Sequence, residues 1–183
     1  MNIAGDPRFD ESAVESRVKN LWMQLQLART TGDLSPLKPY FSSRLYSAEE
    51  NIMRDDMKAD RIRHTIRPAI LRSHMTYEGI EHGQEKIVCH MLTRTRPVEI
   101  RRSNGKTVAG GEETFWQEQW TLTRPAGTVT PDAASAVSVS CPGCGAPLSL
   151  YRSAKCPFCG TLVPVSDFTW VVDHIHTERT SGY

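Results

Sequence analysis

The segment TFWQEQWTLTR (residues 114–124) is rich in aromatic and β-branched residues and alternates with a period of two. Its even positions from 116 to 122 carry two tryptophans, a glutamate and a leucine, which share one face of an extended chain. The odd positions carry a phenylalanine, two glutamines and a threonine on the opposite face. This pattern predicts a β-strand.

Two earlier segments, AILRSHMTYEGIE (69–81) and EKIVCHMLTRTRPVEIRR (85–102), share this composition and are also predicted to be strands. The pair Asn104-Gly105 lies between VEIRRS and KTV and predicts a two-residue hairpin turn. Cys89 lies inside the second segment, and we expect it to be a buried and inert core residue.

Between Asp10 and about Thr30, the apolar residues recur with the period of an α-helix instead. Asp10 is a predicted N-cap, and the helix that it begins runs to about Thr30, before Gly32-Asp33 ends it. The apolar stripe of this helix consists of Val14, Val18, Leu21, Trp22, Leu25 and Ala28.

A second helix is predicted to run from Ser42 or Ser43, either of which is a suitable N-cap, to about Asp60. Pro36 predicts a short helical turn before it. The predicted buried residues of this helix are Leu45, Ile52, Met53 and Met57. Its predicted charged outer face includes Asp55, Asp56 and Asp60. Helices followed by antiparallel strands indicate an α+β fold.

Four of the five cysteines form two pairs in CPGCGAPLSLYRSAKCPFCG (141–160), with the spacing C-x2-C-x11-C-x2-C. A glycine follows each pair and can adopt the positive φ that lets backbone N–H groups point at the thiolates. Two such knuckles make a closed tetrahedral site of four sulfurs, the arrangement that structural zinc prefers. The predicted zinc ligands are Cys141, Cys144, Cys156 and Cys159.

Other interpretations of the cysteine pairs are weaker. Iron in a rubredoxin-like site is the main alternative metal, but an interval of 11 residues is short for shielding iron from water. A closed four-thiolate site has no open position for a water molecule, which disfavours metal-assisted hydrolysis. The loop between the pairs offers only Tyr151, Arg152 and Lys155 as a surface for nucleic acid, so nucleic acid is not an expected partner.

The 183 residues are 39% hydrophobic and 23% charged with a net charge of +1, which is typical of a soluble globular chain. The charge is uneven, because residues 61–106 hold 10 Lys/Arg against 4 Asp/Glu. Such a segment suits an acidic partner or an anionic membrane surface, although a solvated face is the more common explanation. The predicted basic patch consists of Arg61, Arg63, Arg67, Arg72, Arg94, Arg96, Arg101 and Arg102.

No run approaches the roughly 18 apolar residues of a membrane span, and the N-terminal MNIAGDPRFDE lacks the apolar centre of a secretory signal. Cysteine pairs of the metal-binding type suit a reducing compartment. A cytoplasmic location is therefore predicted.

The sequence is predicted to divide into four parts: an α+β domain (6–124), a linker (125–140), the zinc ribbon (141–165) and a C-terminal tail (166–183). The linker is rich in small residues and contains two prolines. In the tail, the spacing of the apolar residues fits either a helix or a strand. His174 and His176 form an H-x-H there that would suit a metal on a strand, but solvated terminal histidines are more common.

The order of these features resembles the Tim44-like domain, the C-terminal domain of a mitochondrial inner-membrane translocase subunit with many bacterial relatives. The resemblance covers residues 6–124 and 141–175. Some bacterial members are similar in carrying a two-knuckle zinc ribbon followed by a tail such as DFTWVVDHI (167–175). The residues that carry the resemblance are Asp6, Phe9, Trp22, Leu34, Pro39, Tyr40, Leu45, Tyr46 and the run QWTLTR from Gln119 to Arg124.

The resemblance implies a cone of the nuclear-transport-factor-two-like type, with helices packed on a curved antiparallel sheet around an apolar pocket. It also implies a non-enzymatic role in protein transport or envelope-associated assembly, peripheral to the inner membrane. In that family, membrane contact rests largely on amphipathic helices ahead of the core domain. We expect the core and the pocket lining to share Trp22, Tyr46, Trp116 and Trp120.

Two hypotheses follow for the function. The first is a zinc-stabilised, non-enzymatic adaptor that binds a protein partner, with an anionic membrane surface as a further candidate partner. The second is an enzyme or small-molecule-binding protein that uses the same cone, as ketosteroid-isomerase-like proteins do. Such an enzyme requires an acid or base inside an apolar pocket. The candidates for that role are Tyr46, Asp60, His74 and Tyr77, and because no spacing favours them the first hypothesis is preferred.

Overall fold

The computed structural model describes residue 3 and residues 5–130, 139–140, 147–148 and 170–181. The described helices are α1 (Glu11–Thr31) and α2 (Ser43–Lys58), with a 3₁₀ turn (Ser35–Leu37) between them. The described strands are β1 (Arg61–Glu81), β2 (Gln84–Arg101), β3 (Thr107–Gly110), β4 (Thr114–Pro125), β5 (Val139–Ser140), β6 (Pro147–Leu148) and β7 (Val171–Thr180). The predicted α+β class is confirmed: two helices pack on an antiparallel sheet, an arrangement compatible with a cone. The four predicted zinc ligands lie outside the described residues.

Helix α1 begins and ends where the sequence predicts. The side chain of Asp10 accepts a hydrogen bond from the backbone N–H of Ala13 at 3.1 Å, which satisfies one of the free donors of the first turn. Gly32 ends the helix in the left-handed conformation, with φ of 79°, and its N–H donates to the carbonyl of Ala28. The predicted apolar stripe is buried from Val18 onward and faces the sheet.

Helix α2 begins at the predicted Ser42 cap, but its buried face differs from the prediction. Ile52 and Met57 are 39% and 49% exposed, so their predicted burial is wrong. The buried residues of α2 are Leu45, Glu49, Met53 and Asp56. Two carboxylates tolerate burial here because arginines from α1 and β1 pair with them, and Asp56 therefore does not belong to the predicted outer face.

The longest strand of the sheet is irregular at several places. Strand β1 has 21 residues, and its pairing with β2 shifts register at three places, including one at Arg67, where φ is 51°. Such bulges bend a strand and increase its twist, which lets a single sheet wrap around a pair of helices. The turn from β1 to β2 has two residues, His82 and Gly83, both with positive φ.

The predicted hairpin at Asn104-Gly105 exists, but its turn is longer than two residues. Residues 102–106 separate β2 from β3. Both the backbone N–H and the hydroxyl of Ser103 donate to the carboxylate of Asp60, at 2.8 and 2.6 Å. This contact ties the loop to the start of β1, which explains why the chain does not turn tightly.

The C-terminal segment is a strand of the same sheet. The strand order is β1-β2-β4-β7, and β3 pairs with the end of β2. Strand β7 runs antiparallel to β4, with Trp120 opposite Ile175, and Val172 also exchanges backbone hydrogen bonds with Tyr40 and Ser42. The segment that carries the four paired cysteines therefore connects two neighbouring strands of one sheet.

A buried ion cluster joins the start of the chain to the end of β4. The guanidinium of Arg124 donates to Glu85 at 2.6 Å and to Asp6 at 2.8 Å, and all three side chains are at most 3% exposed. The ring of Trp170, which precedes β7, covers the guanidinium at 4.4 Å and meets Phe9 edge to face. This cluster brings together Asp6, Phe9 and Arg124, three of the residues on which the resemblance rests.

Candidate functional site

A groove of about 550 Å³ opens between α1 and the far end of the sheet. Five strands and one helix contribute to its walls. Its lining residues are Gln26 and Arg29 of α1, residues 63–65 of β1, Thr95 and residues 97–99 of β2, Ala109 and Gly110 of β3, Trp116 and Glu118 of β4, and Thr177 of β7.

Strand β3 approaches β2 closely at the edge of the groove. Gly110 has a φ of 86°, and a Cβ at this position would overlap the carbonyl oxygen of Pro97. The following residue, Gly111, donates its N–H to the same carbonyl at 2.7 Å. Only glycine fits this close approach, so the short strand that forms one wall depends on it.

The buried end of the groove holds Glu118, which is 8% exposed. Its Oε1 accepts hydrogen bonds from Trp22 Nε1 and Thr93 Oγ1, both at 2.7 Å. Its Oε2 accepts one from Trp120 Nε1 at 3.1 Å. All three donors are themselves buried, so both carboxylate oxygens are held by uncharged hydrogen-bond donors.

The charged groups on the groove walls are paired with groups behind them. Arg29 forms a two-point ion pair with Glu49, with N–O distances of 2.9 and 3.0 Å. Arg63 binds Asp56 at 2.7 Å. His64 Nδ1 lies 3.1 Å from the hydroxyl of Thr30, so the imidazole is held against the end of α1. Both arginines of the groove walls are therefore already engaged in ion pairs.

The structure places the four predicted pocket residues at different depths. Trp116 lines the groove, where its Nε1 donates to Thr95 Oγ1 at 2.8 Å. Trp22 and Trp120 are fully buried in the core beneath it. Tyr46 packs against the core on α2, with the Lys38 ammonium 5.7 Å from its ring centroid.

The eight predicted patch arginines fall into separate environments. Arg61 and Arg63 both bind Asp56, and Arg94 lies 3.6 Å from Glu113. The paired group consists of Arg61, Arg63 and Arg94.

The other five predicted patch arginines have no carboxylate partner among the residues that the structure describes. Arg101 lies opposite Arg61 across the sheet and, with Arg102, leads into an exposed hairpin. Arg67 occupies the bulge of β1, Arg72 is exposed on the outer face of the sheet, and Arg96 donates to the carbonyl of Gly111.

The predicted enzymatic candidates do not line the groove. Asp60 binds the β2–β3 loop, and Tyr46 and Tyr77 pack against the core. His74 lies on the outer face of the sheet, where it stacks on His90 with ring centroids 4.7 Å apart. Two carboxylates do line the groove, Glu99 and Glu118, and neither was among the predicted site residues.

The stacked histidines on the outer face are expected to make the stability of the fold depend on pH. Burial lowers the pKa of His90, and the neighbouring His74 lowers it further. A histidine with a lowered pKa binds protons more weakly in the folded state than in the unfolded state, so the stability that it contributes is lost as pH falls below about 6.5.

Replacing His74 with glutamine should raise the pKa of His90, because the charge of the adjacent imidazole is removed while burial remains. The pKa of each histidine can be followed by NMR titration. His82→Gln, at the exposed β1–β2 turn, is the matched control and should leave His90 unchanged. An unchanged pKa of His90 in the His74 variant would show that the stacked pair is not electrostatically coupled.

Within the described part of the chain, no three His, Cys, Asp or Glu side chains are grouped closely enough to hold a metal ion. None of the helices described is both long and apolar enough to cross a membrane.

Comparison with known proteins identifies the architecture. The model of the Tim44-like domain family matches residues 3–134, which is well over half of the chain. No curated protein matches the sequence significantly. The matched region contains both helices, the first four strands and the buried cluster of Asp6 and Arg124. The chain therefore belongs to the Tim44-like domain family.

Proposed function

We propose that this chain is a non-enzymatic adaptor that binds a protein partner through the groove. Membership of the Tim44-like family suggests a protein-binding or membrane-associated role in transport. The observation that carries the proposal is the groove itself, which combines the exposed apolar residues Pro97 and Ala109 with the buried carboxylate of Glu118. Mixed apolar and polar concavities of this kind are the usual form of binding sites.

The enzymatic alternative finds less support in the same groove. Glu118 is an ionisable group in a partly apolar site, as that hypothesis requires. Its two oxygens, however, are held by three donors that fix its orientation. A carboxylate held in this way is better suited to receiving a positive charge than to transferring a proton.

Site-specific photo-crosslinking tests the protein-binding role. A photoreactive amino acid at Ala109, which lines the groove, should yield discrete cross-linked products in native cells. The matched control is Val108, which is 53% exposed, adjacent in the same strand and outside the groove lining. The same products from both positions, or none from residue 109, would argue against the groove as the binding surface.

An anionic membrane surface is proposed as a second partner, which would place the protein in the cytoplasm and at the periphery of the inner membrane. The support is the exposed hairpin that carries Arg101, Arg102 and Lys106. Flotation with anionic and neutral liposomes, at low and physiological salt, tests it. Salt-sensitive flotation with anionic vesicles only is expected, and Arg101→Gln with Arg102→Gln should weaken it. No flotation under any condition would reject the membrane partner.

We further propose that Cys141, Cys144, Cys156 and Cys159 bind a structural zinc ion. Four thiolates match the ligand preference of zinc and leave no open coordination position. Ser140 and Pro147, which flank the segment with the first cysteine pair, are antiparallel partners. Metal analysis of the purified protein distinguishes zinc from iron, the alternative metal.

Removing zinc should unfold the ribbon and leave the sheet intact. Chelation, or Cys144→Ser, is expected to abolish ordered signals from residues 141–160, because so short a segment cannot bury enough apolar surface to fold alone. NMR of the chelated protein should retain the indole signals of Trp22 and Trp120, and adding zinc back should restore the ribbon. Loss of the core signals on chelation would mean that the ribbon is integral to the domain.

A further inference from the structure

The carboxylate of Glu118 has no positively charged partner. Among the residues that the structure describes, no Lys, Arg or His forms an ion pair with it, and its hydrogen-bond donors are two indoles and a hydroxyl. An ionised carboxylate has about four acceptor positions, of which three are used here. The remaining acceptor position is on Oε2, which receives a single bond.

The other charges that line the groove are balanced. Arg29 pairs with Glu49, Arg63 pairs with Asp56, and Glu99 lies 3.9 Å from Arg61. Since both arginines are occupied, the unbalanced charge of the groove is the negative charge of Glu118. A charge at this depth favours a ligand of opposite sign.

The shape of the groove suits a long side chain that ends in a cation. Glu118 is the most buried of the ionisable residues that line the groove, and the apolar side chains of Pro97, Val98 and Trp116 line the same groove. Lysine and arginine have apolar stems that pack along such surfaces while the charged end reaches a carboxylate, and an indole ring adds a favourable contact for the cation.

We propose that Glu118 is the anchor for a lysine or arginine side chain that a partner protein inserts into the groove. The assignment of the cation to a protein rests on the proposed adaptor function. The cation site itself rests on the unpaired carboxylate, the balanced walls and the apolar lining.

Titration with side-chain analogues tests the cation site. The probes are n-butylguanidinium, its neutral counterpart n-butylurea and the anion butyrate, added to the full-length protein labelled with ¹⁵N at its indoles. The Nε1–H groups of Trp22 and Trp120 bind Glu118 directly, so their signals should shift with guanidinium. Butylurea should bind about tenfold or more weakly, because it keeps N–H donors but lacks the positive charge that attracts the carboxylate, and butyrate should not bind.

Two kinds of variant complete the test. Glu118→Gln keeps the shape but removes the charge and should weaken guanidinium binding by about tenfold or more. Ala109→Trp should block the groove without touching the core, whereas Val108→Trp, outside the groove lining, should not. These rim variants keep the test decisive if the Glu118 variant does not fold.

Equal binding of guanidinium and urea, a preference for butyrate, or unchanged binding after Ala109→Trp would overturn the cation site. Guanidinium binding without cross-links from residue 109 would reject the protein partner instead and, with it, the assignment of the cation to a partner's side chain. Cross-links without guanidinium binding would reject the cation site alone.

Discussion

Replacing Arg124 with methionine is expected to lower the free energy of unfolding by about 3–5 kcal/mol. The substitution leaves the carboxylates of Asp6 and Glu85 buried without the guanidinium that now binds both of them. Removing one partner of a buried pair costs more than the pair itself contributes, because the remaining charges have lost both water and counter-charge. Urea unfolding followed by circular dichroism measures the loss.

The triple variant Asp6→Asn, Glu85→Gln, Arg124→Met is the matched control. Removing all three charges together should recover much of the lost stability, because no uncompensated charge stays buried. If the single and triple variants unfold at the same urea concentration, packing rather than charge explains the loss.

The dependence of the unfolding free energy on pH, measured at acidic pH, gives an independent test of the same ion cluster. Burial raises the pKa of Asp6, but hydrogen bonds from Thr130 and Arg124 outweigh it, and the net effect is a lowered pKa. The stability that Asp6 contributes is therefore fully present above its ordinary pKa of about 3.9 and is lost as pH falls through the lowered value. Asp6→Asn should flatten this part of the curve.

Replacing Trp22 with alanine is expected to cost about 3–5 kcal/mol of unfolding free energy. Trp22 is fully buried at the contact between α1 and the sheet, so the substitution leaves a large cavity. It also removes one of the three hydrogen bonds to Glu118.

Trp22→Phe separates the two effects. The aromatic packing is largely retained while the N–H donor is lost, so a cost of about 1–3 kcal/mol is expected from the weakened support of a buried carboxylate. If the phenylalanine variant is as stable as the natural protein, the hydrogen bond contributes nothing and the whole loss in the alanine variant comes from the cavity.

The parts of the fold that the sequence predicted correctly depend on local rules. The caps at Asp10 and Ser42 follow from side chains that bind nearby backbone N–H groups, and the inward face of β4 follows from alternation alone. Both kinds of rule act within one element, so no knowledge of the rest of the molecule is needed.

The errors occurred where a distant partner determines burial. Helical periodicity favoured Ile52 and Met57 over Glu49 as buried residues, because nothing within α2 reveals that Arg29 of α1 neutralises Glu49. The tail presented a similar difficulty, since it is a strand only because β4 offers it an edge.

For Glu118 in the groove, the sequence reveals the face of the strand on which it lies but not its partners from other elements. Alternation already placed Glu118 on the same face as Trp116 and Trp120, so a signal for this residue existed. Among the described residues, the neighbours of Glu118 are neutral hydrogen-bond donors and not cations. Only the packing of α1 against the sheet reveals this.

Strands β4 and β7 are neighbours in the sheet but lie far apart in the sequence. The 45 residues from 126 to 170 connect the two strands, so the pairing of β4 with β7 must bring the ends of this connection together. The entropy of closing a loop depends on the logarithm of its length, so a metal that ties residues 141 and 159 together, shortening the loop to roughly 27 residues, would ease closure by only about 0.5 kcal/mol. By this argument, the entropic cost of pairing β4 with β7 depends only weakly on the length of the connection between them.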